Sequence, residues 1–363
     1  MALNNNYRIF YAIQQIAFAR EGKGTVTGDF QKAHGVQSVG ITTTFNLEQA
    51  FELGQLAIYE NIEGIPDIEV TIEKVLDGYA PIYCLATRGA TDTSLTGRQN
   101  TKTTAALSIF RDTMKAAEGT ANRVSECYMS GLYVSSVGYT FPVDGNSTES
   151  VTLVGNNKIW RALTVSGGFN ETNDDAPDAA TGVMRREDLS FDYTGSATEA
   201  ITGGPSAVST SSTGSILPID LDGISSSGTN DKFSGTNIYK SHIQNISCST
   251  DLGREQLFEL GRKGAYYRYV TFPVEVTTEF TVIATSGDMV NAKEEEDNLE
   301  HQKIIIRTAE GLTINAGKKN KLASVGMSGG DAGGDNVELT YTYTNFNDFD
   351  VAHTHATAAT THG

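Results

Sequence analysis

The 363-residue sequence is short of several things at once. Its three cysteines, Cys84, Cys127 and Cys248, are too few and too far apart for a disulfide framework or a zinc site. Buried free thiols are therefore expected, with a disulfide between subunits as the alternative. Positive charge is in deficit: 27 Lys and Arg against 44 Asp and Glu give a formal net charge of −17. That excludes a nucleic-acid binder that works by neutralising phosphates. No apolar run approaches the roughly 20 residues of a membrane span, and Met1 to Arg20 lacks a basic segment leading into an unbroken apolar stretch. Neither an anchor nor a signal peptide is expected. Long Ala/Leu/Glu/Lys runs are missing too, which excludes a helical bundle or coiled coil. What remains is 39% hydrophobic residues, 37 glycines and abundant Thr, Ser and Asn, enough for a sizeable core and more than one domain.

Comparing the chain with itself reveals a repeat. Residues 36–71 match residues 243–278 without a gap at a constant offset of 207. The identities include Gln37/Gln244, Thr43/Thr250, Tyr59/Tyr266, Pro66/Pro273 and Thr71/Thr278, and they are densest between Glu48-Gln49-Ala50-Phe51-Glu52-Leu53-Gly54 and Glu255-Gln256-Leu257-Phe258-Glu259-Leu260-Gly261. Eleven identities fall in 36 positions, where unrelated sequence gives roughly two. A weaker echo follows, Ser136-Val137-Gly138 and Ser324-Val325-Gly326, each ahead of a turn and an alternating run. The repeat divides the chain into a first domain over 1–165, a Gly/Ser/Thr-rich insertion or linker over 166–236, a second domain over 237–350 and a C-terminal tail over 351–363.

Alternation predicts strands at Val36–Thr44, Val70–Leu76, Ile243–Ser249, Tyr266–Val270 and Val274–Ala284. Near-helical spacing of Leu47, Ala50, Phe51 and Leu53 before Gly54 predicts a short helix over 46–54. Ala105, Ala106, Leu107, Phe110 and Met114 predict another over Thr103–Glu118, and a third is expected over Asn291–Lys303. Val143-Asp144-Gly145-Asn146 and Gly333-Gly334-Asp335-Asn336 are hairpin signals. The fold class is mainly β, two tandem sandwich or barrel domains, each with a short flanking helix.

Chemical motifs are weak. Gly326-Met327-Ser328-Gly329-Gly330 has the Gly-x-Ser-x-Gly spacing of a nucleophile elbow, with Asp348 or Asp350 and then His353 in hydrolase order. A Gly-rich turn and an alternating strand follow Ser328 where an elbow needs a helix, so a hairpin is the better reading. Glu294-Glu295-Glu296-Asp297 reads as a solvated face or inter-subunit contact, Asp220-Leu221-Asp222-Gly223 as an incomplete calcium loop, and His353, His355 and His362 as part of a disordered or packing tail. Gly311–Lys318 lacks the spacing of a phosphate loop. No catalytic, cofactor or metal residue is assigned, and no enzyme activity is expected. The repeated acidic pairs Glu48/Glu52 and Glu255/Glu259 read as a structural helix, or as carboxylates pairing with Arg254, Arg262 or Lys263 of a neighbouring domain in a ring. Trp160 and Tyr266-Tyr267-Arg268-Tyr269 could stack sugars, which keeps a carbohydrate-binding or adhesin-like β-sandwich of a virion or cell surface as the alternative function.

The strand before Leu47–Gly54, the strand after Pro66 with Glu69-Val70-Thr71-Ile72-Glu73, and the hairpin Ser135–Gly145 with Ser150–Gly155 resemble a tailed-bacteriophage tail tube protein. Gln244–Gly261, Pro273–Val282 and Ser324–Thr344 look like a second copy, departing most where Gly329-Gly330 replaces Phe141-Pro142. The resemblance implies tube domains whose inner sheets join edge to edge around a ring. With two domains per chain, three copies would give pseudo-six-fold symmetry. It also implies ring stacking through long loops and terminal arms, placed at residues 76–130 and the two termini. DNA would pass through transiently, with sheath, tape-measure, baseplate and tail-terminator proteins as partners, no membrane, and a place in the virion tail after assembly in the host cytoplasm.

Overall fold

The computed structural model describes residues 9–21, 30–54, 56–87, 101–110, 123–162, 182–186, 189–194, 243–261, 264–284, 302–308, 311–330 and 336–353, with residues 95, 287, 290, 292 and 334. In chain order its strands are β1 (Gln14–Arg20), β2 (Gln31–Lys32), β3 (Val36–Thr44), β4 (Leu47–Phe51), β5 (Ile58–Glu63), β6 (Asp67–Val75), β7 (Thr103–Phe110), β8 (Arg123–Pro142), β9 (Thr148–Gly155), β10 (Asn157–Ala162) and β11 (Leu189–Thr194). The rest are β12 (Ile243–Asp251), β13 (Arg254–Leu257), β14 (Tyr267–Val270), β15 (Glu275–Ile283), β16 (Gln302–Thr308), β17 (Leu312–Ser328), β18 (Glu338–Phe346) and β19 (Asp350–His353). Among the described residues are also a 3-10 turn, Tyr11–Ile13, and the helix α1 (Ile82–Thr87).

All pairings are antiparallel. A front ladder runs β3-β6-β9-β8-β12-β15-β18-β17. Behind it lie β2-β1-β7-β8-β10 and β11-β16-β17-β19. The long strands β8 and β17 belong to both layers: Ser125–Ser130 pair with β10, while Tyr133–Thr140 pair with β9. Likewise Leu312–Asn315 pair with β19 and Lys321–Ser328 with β18. Each strand changes sheet at a left-handed glycine, Gly131 (φ 67°) and Gly317 (φ 103°), a conformation other residues adopt only with strain. At Gly317 a Cβ would also overlap Asn345 Nδ2, which donates to the carbonyls of Ala316 and Asp348 across the bend.

Strict alternation on the front strands puts Val70, Ile72, Val151, Leu153, Val276, Phe280, Leu339 and Tyr341 inward, all buried. They share one core with Phe18, Leu107 and Met129 behind the first half and with Ile304, Ile306, Ile314 and Val351 behind the second. A second cluster, Ala17, Phe30, Ala106, Ile109 and Phe110, covers the other side of β1 and β7. Helix α1 is seated on Glu149 of β9, whose carboxylate accepts the Ile82 and Tyr83 N–H groups and the Tyr139 hydroxyl. Its far side meets the second half, with Tyr83 edge-on to Phe349 at 6.0 Å.

All five predicted strands form, as does the Val143–Asn146 hairpin between β8 and β9. The predicted helix over 46–54 does not form, nor does the one over Thr103–Glu118 in its described part. Residues 46–54 form β4 and a turn, paired with β5, and their counterpart is β13, paired with β14. A nine-residue segment is too short to hold a helix alone, and its apolar side chains gain no core contact to compensate, since Phe51 is 68% and Leu53 104% exposed. Thr103–Phe110 is β7, covered on both faces, so it lost the alternation that marks a strand; 111–118 lie outside the described residues. In the third, Gln302 and Lys303 open β16, and 293–301 lie outside the described residues. Inside the 166–236 stretch, β11 pairs with β16 and Met184 is buried, exchanging backbone hydrogen bonds with Leu76 and Ser147. The tail read from 351 begins in β19.

Candidate functional site

The candidate site is a strand junction together with the sheet face it extends. At the centre of the front ladder Ser136–Pro142 of β8 pair with Asn245–Asp251 of β12, joining the two halves edge to edge. Backbone bonds from Val143 N to Gln244 O (2.8 Å) and Leu252 N to Ser135 O (2.7 Å) close both ends. Val137, Tyr139 and Phe141 meet Ile246, Cys248 and Thr250 on the inner side, none more than 5% exposed. The β13–β14 hairpin clamps the join. Arg254 Nε donates to the Val134 carbonyl at 2.6 Å, and Tyr267 lies edge-on to Tyr133 at 5.6 Å. Arg268 pairs with Asp67 at 2.8 Å. Against the cost of burial, hydrogen bonds from Asn46, Gln256 and Arg268 hold the Asp67 carboxyl below its ordinary 3.8.

The two ends of the front ladder repeat the two sides of this junction. β3 corresponds to β12, each with a bulge at the same place, Val36/Ser38 and Ile243/Asn245. The second half of β17 corresponds to β8, with bulges at Leu322/Ser324 and Val134/Ser136. Among the described residues neither β3 nor this part of β17 has a strand on its outer side. The inward side chains there are accordingly less covered: Val39, Ile41 and Val325 are half-buried, and Met327 is 65% exposed.

The outward face of the ladder is made of hydroxyls and carboxylates. Ser38, Thr42, Thr71, Thr140 and Ser249 alternate with exposed Glu69, Glu73, Asp251, Glu275, Glu279 and Glu338. Ser38 Oγ donates to Glu73 at 3.1 Å in the first half and Ser247 Oγ to Glu279 at 3.4 Å in the second. Across β3, β6, β9, β12, β15 and β18 the only basic residue is Lys74, fully buried on the opposite face beside Asp77. Such a wall is rich in acid, and on the ladder part of β17 the exposed Lys321, opposite Thr344, is the cation at its rim.

The other singled-out residues are not brought together. Ser328 ends β17 opposite Glu338, whereas His353 is buried beside Leu312 at the far end of the same strand, so no triad forms. Asp348 accepts the Lys318 N–H. Glu294–Asp297, Asp220, Asp222, Arg262, Lys263, His355 and His362 lie outside the described residues. Among the described residues no three His, Cys, Asp or Glu side chains are gathered to hold a metal. Trp160 is 57% exposed on β10, and Tyr267 faces into a cleft of about 200 Å³ lined by Glu21, Lys102, Tyr133, Asn156 and Arg268, which Trp160 does not line. Arg254, named as a partner for repeated carboxylates, is spent on Tyr133 and Val134. Sequence reasoning missed the junction itself. Its signal was present in the strand-to-strand match of residues 36–44 and 243–251, which marks two equivalent edges.

All three cysteines are free and buried. Burial pushes the Cys127 and Cys248 thiols up to about 11. The folded chain should therefore resist iodoacetamide at about pH 8 and yield three labelled thiols only after unfolding. Rapid labelling of the native chain would show these sites to be open.

No family model and no curated protein matches the sequence. Among solved structures, the chain is similar to an anti-feeding prophage baseplate protein (8% identity, 44% of this chain and 99% of that one, TM-score 0.31). It is also similar to a protein of the sheath-tube complex of an extracellular contractile injection system (13% identity, 43% and 93%, TM-score 0.31). A third likeness is to the Hcp1 protein of E. coli EAEC 042 (15% identity, 41% and 98%, TM-score 0.21).

Proposed function

We propose that this chain is a structural protein of a phage-type tail, assembling into rings that stack as a tube for DNA ejection. The observation that carries the reading is the β8–β12 junction, because the chain already contains the edge-to-edge contact a ring needs and ends in the two complementary edges, β3 and β17. In this reading residues 1–165 and 237–350 are one tube unit written twice.

Strand spacing supports three copies. Three chains give 24 strands in the closed ladder, and at about 4.8 Å each the circumference is roughly 115 Å, or 150 Å with a tilt near 40°. The backbone diameter is then about 37–48 Å, which passes a duplex about 20 Å wide, whereas two chains would leave only about 24–32 Å before side chains are counted. The hydroxyl and carboxylate face would line the lumen, and like charge would keep DNA from adhering. Closure removes the exposed edges of β3 and β17, which otherwise invite indiscriminate pairing. Leu53, Leu56 and Leu260 at the hairpin tips are fully exposed and would add to stacking; of the 76–130 stretch, α1 and β7 are buried in the chain, while 88–94, 96–100 and 111–122, like 1–8 and 354–363, lie outside the described residues.

Negative-stain images of purified protein should show rings or tubes, and the mass of isolated rings should be a multiple of three chains. A persistent monomer at high concentration would overturn the proposal. A ring of six full chains would overturn the trimer alone.

A further inference from the structure

Resting on that ring reading, we propose that the junction between copies is held by an ion pair, Lys321 of one copy with Glu60 of the next. It stands where the junction inside the chain sets Tyr133 edge-on to Tyr267. The correspondence follows from backbone register. Tyr133 precedes the β8 bulge by one residue, as Lys321 precedes the β17 bulge. Tyr267 is opposite Leu257 in its hairpin, as Glu60 is opposite Ala50. Building the outer junction on the inner one therefore places Glu60 against Lys321. Both side chains are exposed in the single chain, and neither forms an ion pair among the described residues.

The surroundings agree in sign. Lys319 precedes Lys321 by two residues on β17, and on the incoming β4–β5 hairpin Glu48, paired with Ile62, lies diagonal to Glu60. The hairpin used inside the chain keeps a carboxylate at the position of Glu48, Glu255, but has Arg254 and Arg268 at the positions of Leu47 and Asn61 and Tyr267 at that of Glu60. Offered to β17, it would set two guanidiniums against Lys321. The charge pattern thus selects β3 over β12 as the partner of β17, so chains join only in the order that continues the ring.

The test compares Lys321→Glu, Glu60→Lys and the double exchange with wild type, measuring the protein concentration at which rings form by mass photometry at low salt. Each single reversal should raise that concentration at least tenfold. The double exchange should return it to within about twofold of wild type, and 0.5 M salt should weaken wild-type assembly as pairing charges are screened. Circular dichroism should show all four chains folded, since both sites are solvent-exposed. If wild type forms rings and the double exchange assembles no better than the worse single variant, the ion pair is wrong and the ring stands. If wild type forms no ring at any salt, both readings fall.

Discussion

Met327→Asp should abolish ring formation while leaving the chain folded. Met327 is 65% exposed on the outer part of β17, so an aspartate there meets water in the monomer and should change stability by less than about 0.5 kcal/mol. In a closed ring its environment changes. Matching the bulges of β17 and β8 puts Met327 at the position of Tyr139, which is 1% exposed opposite Cys248. Its neighbour would be Ile41 of the next copy. An unpaired carboxylate buried there costs several kcal/mol at every junction. At about 1.4 kcal/mol per factor of ten, assembly should weaken by more than a thousandfold. Met327→Leu should assemble as wild type. Rings of Met327→Asp at wild-type concentration would show that β17 is not a closing edge.

Removing the seat of α1 is the largest expected loss of stability. Glu149→Ala leaves the Ile82 and Tyr83 N–H groups and the Tyr139 hydroxyl without their acceptor, all of them buried. Orphaned buried donors cost about 1–3 kcal/mol each, so a loss of about 3–5 kcal/mol is expected, lowering the melting temperature by about 10 °C. A six-residue helix cannot hold itself, so its contact with Phe349 in the second half should loosen too. The pH dependence tests the cause. Burial pushes the Glu149 carboxyl above its ordinary 4.5, outweighing the backbone donors, Lys74 and Tyr139, which pull it down. A raised value means the folded chain binds the proton more tightly than the unfolded one. This contribution is present in full below 4.5 and is lost as pH rises through the folded value. The advantage of wild type over Glu149→Gln should therefore shrink as pH rises from about 4.5, measured by urea unfolding. An advantage that grows with pH would mean the network is built for the carboxylate.

Much of the fold was legible where one side of a strand faces core and the other faces water. Asp67–Val75 and Glu275–Ile283 are such strands, and their alternation marks them directly. Legibility failed at the two extremes of burial. Thr103–Phe110 is covered on both faces, so its continuous apolar run carried no period of two, and Ala105-Ala106-Leu107 read as a helical stripe. Leu47–Phe51 is covered on neither, so its apolar spacing reported no core at all. The cleft tyrosine Tyr267 looked like a sugar platform in sequence because nothing local shows that Tyr133, more than a hundred residues earlier, lies against it.

By itself the sequence determined that the chain is mainly β, that acidic residues outnumber basic ones 44 to 27, and that two stretches 207 residues apart are alike. These follow from local pattern and composition, which are properties of short windows. Only the tertiary structure decided where the two like stretches stand, β12 inside the ladder and β3 at its edge. Pairing β8 with β12 depends on bringing residues about a hundred apart into register, and on the left-handed turn at Gly131 where β8 passes from one sheet to the other. A strand edge becomes an interface only when a neighbour's unpaired N–H and C=O groups meet its own, and that meeting is fixed by packing rather than by periodicity.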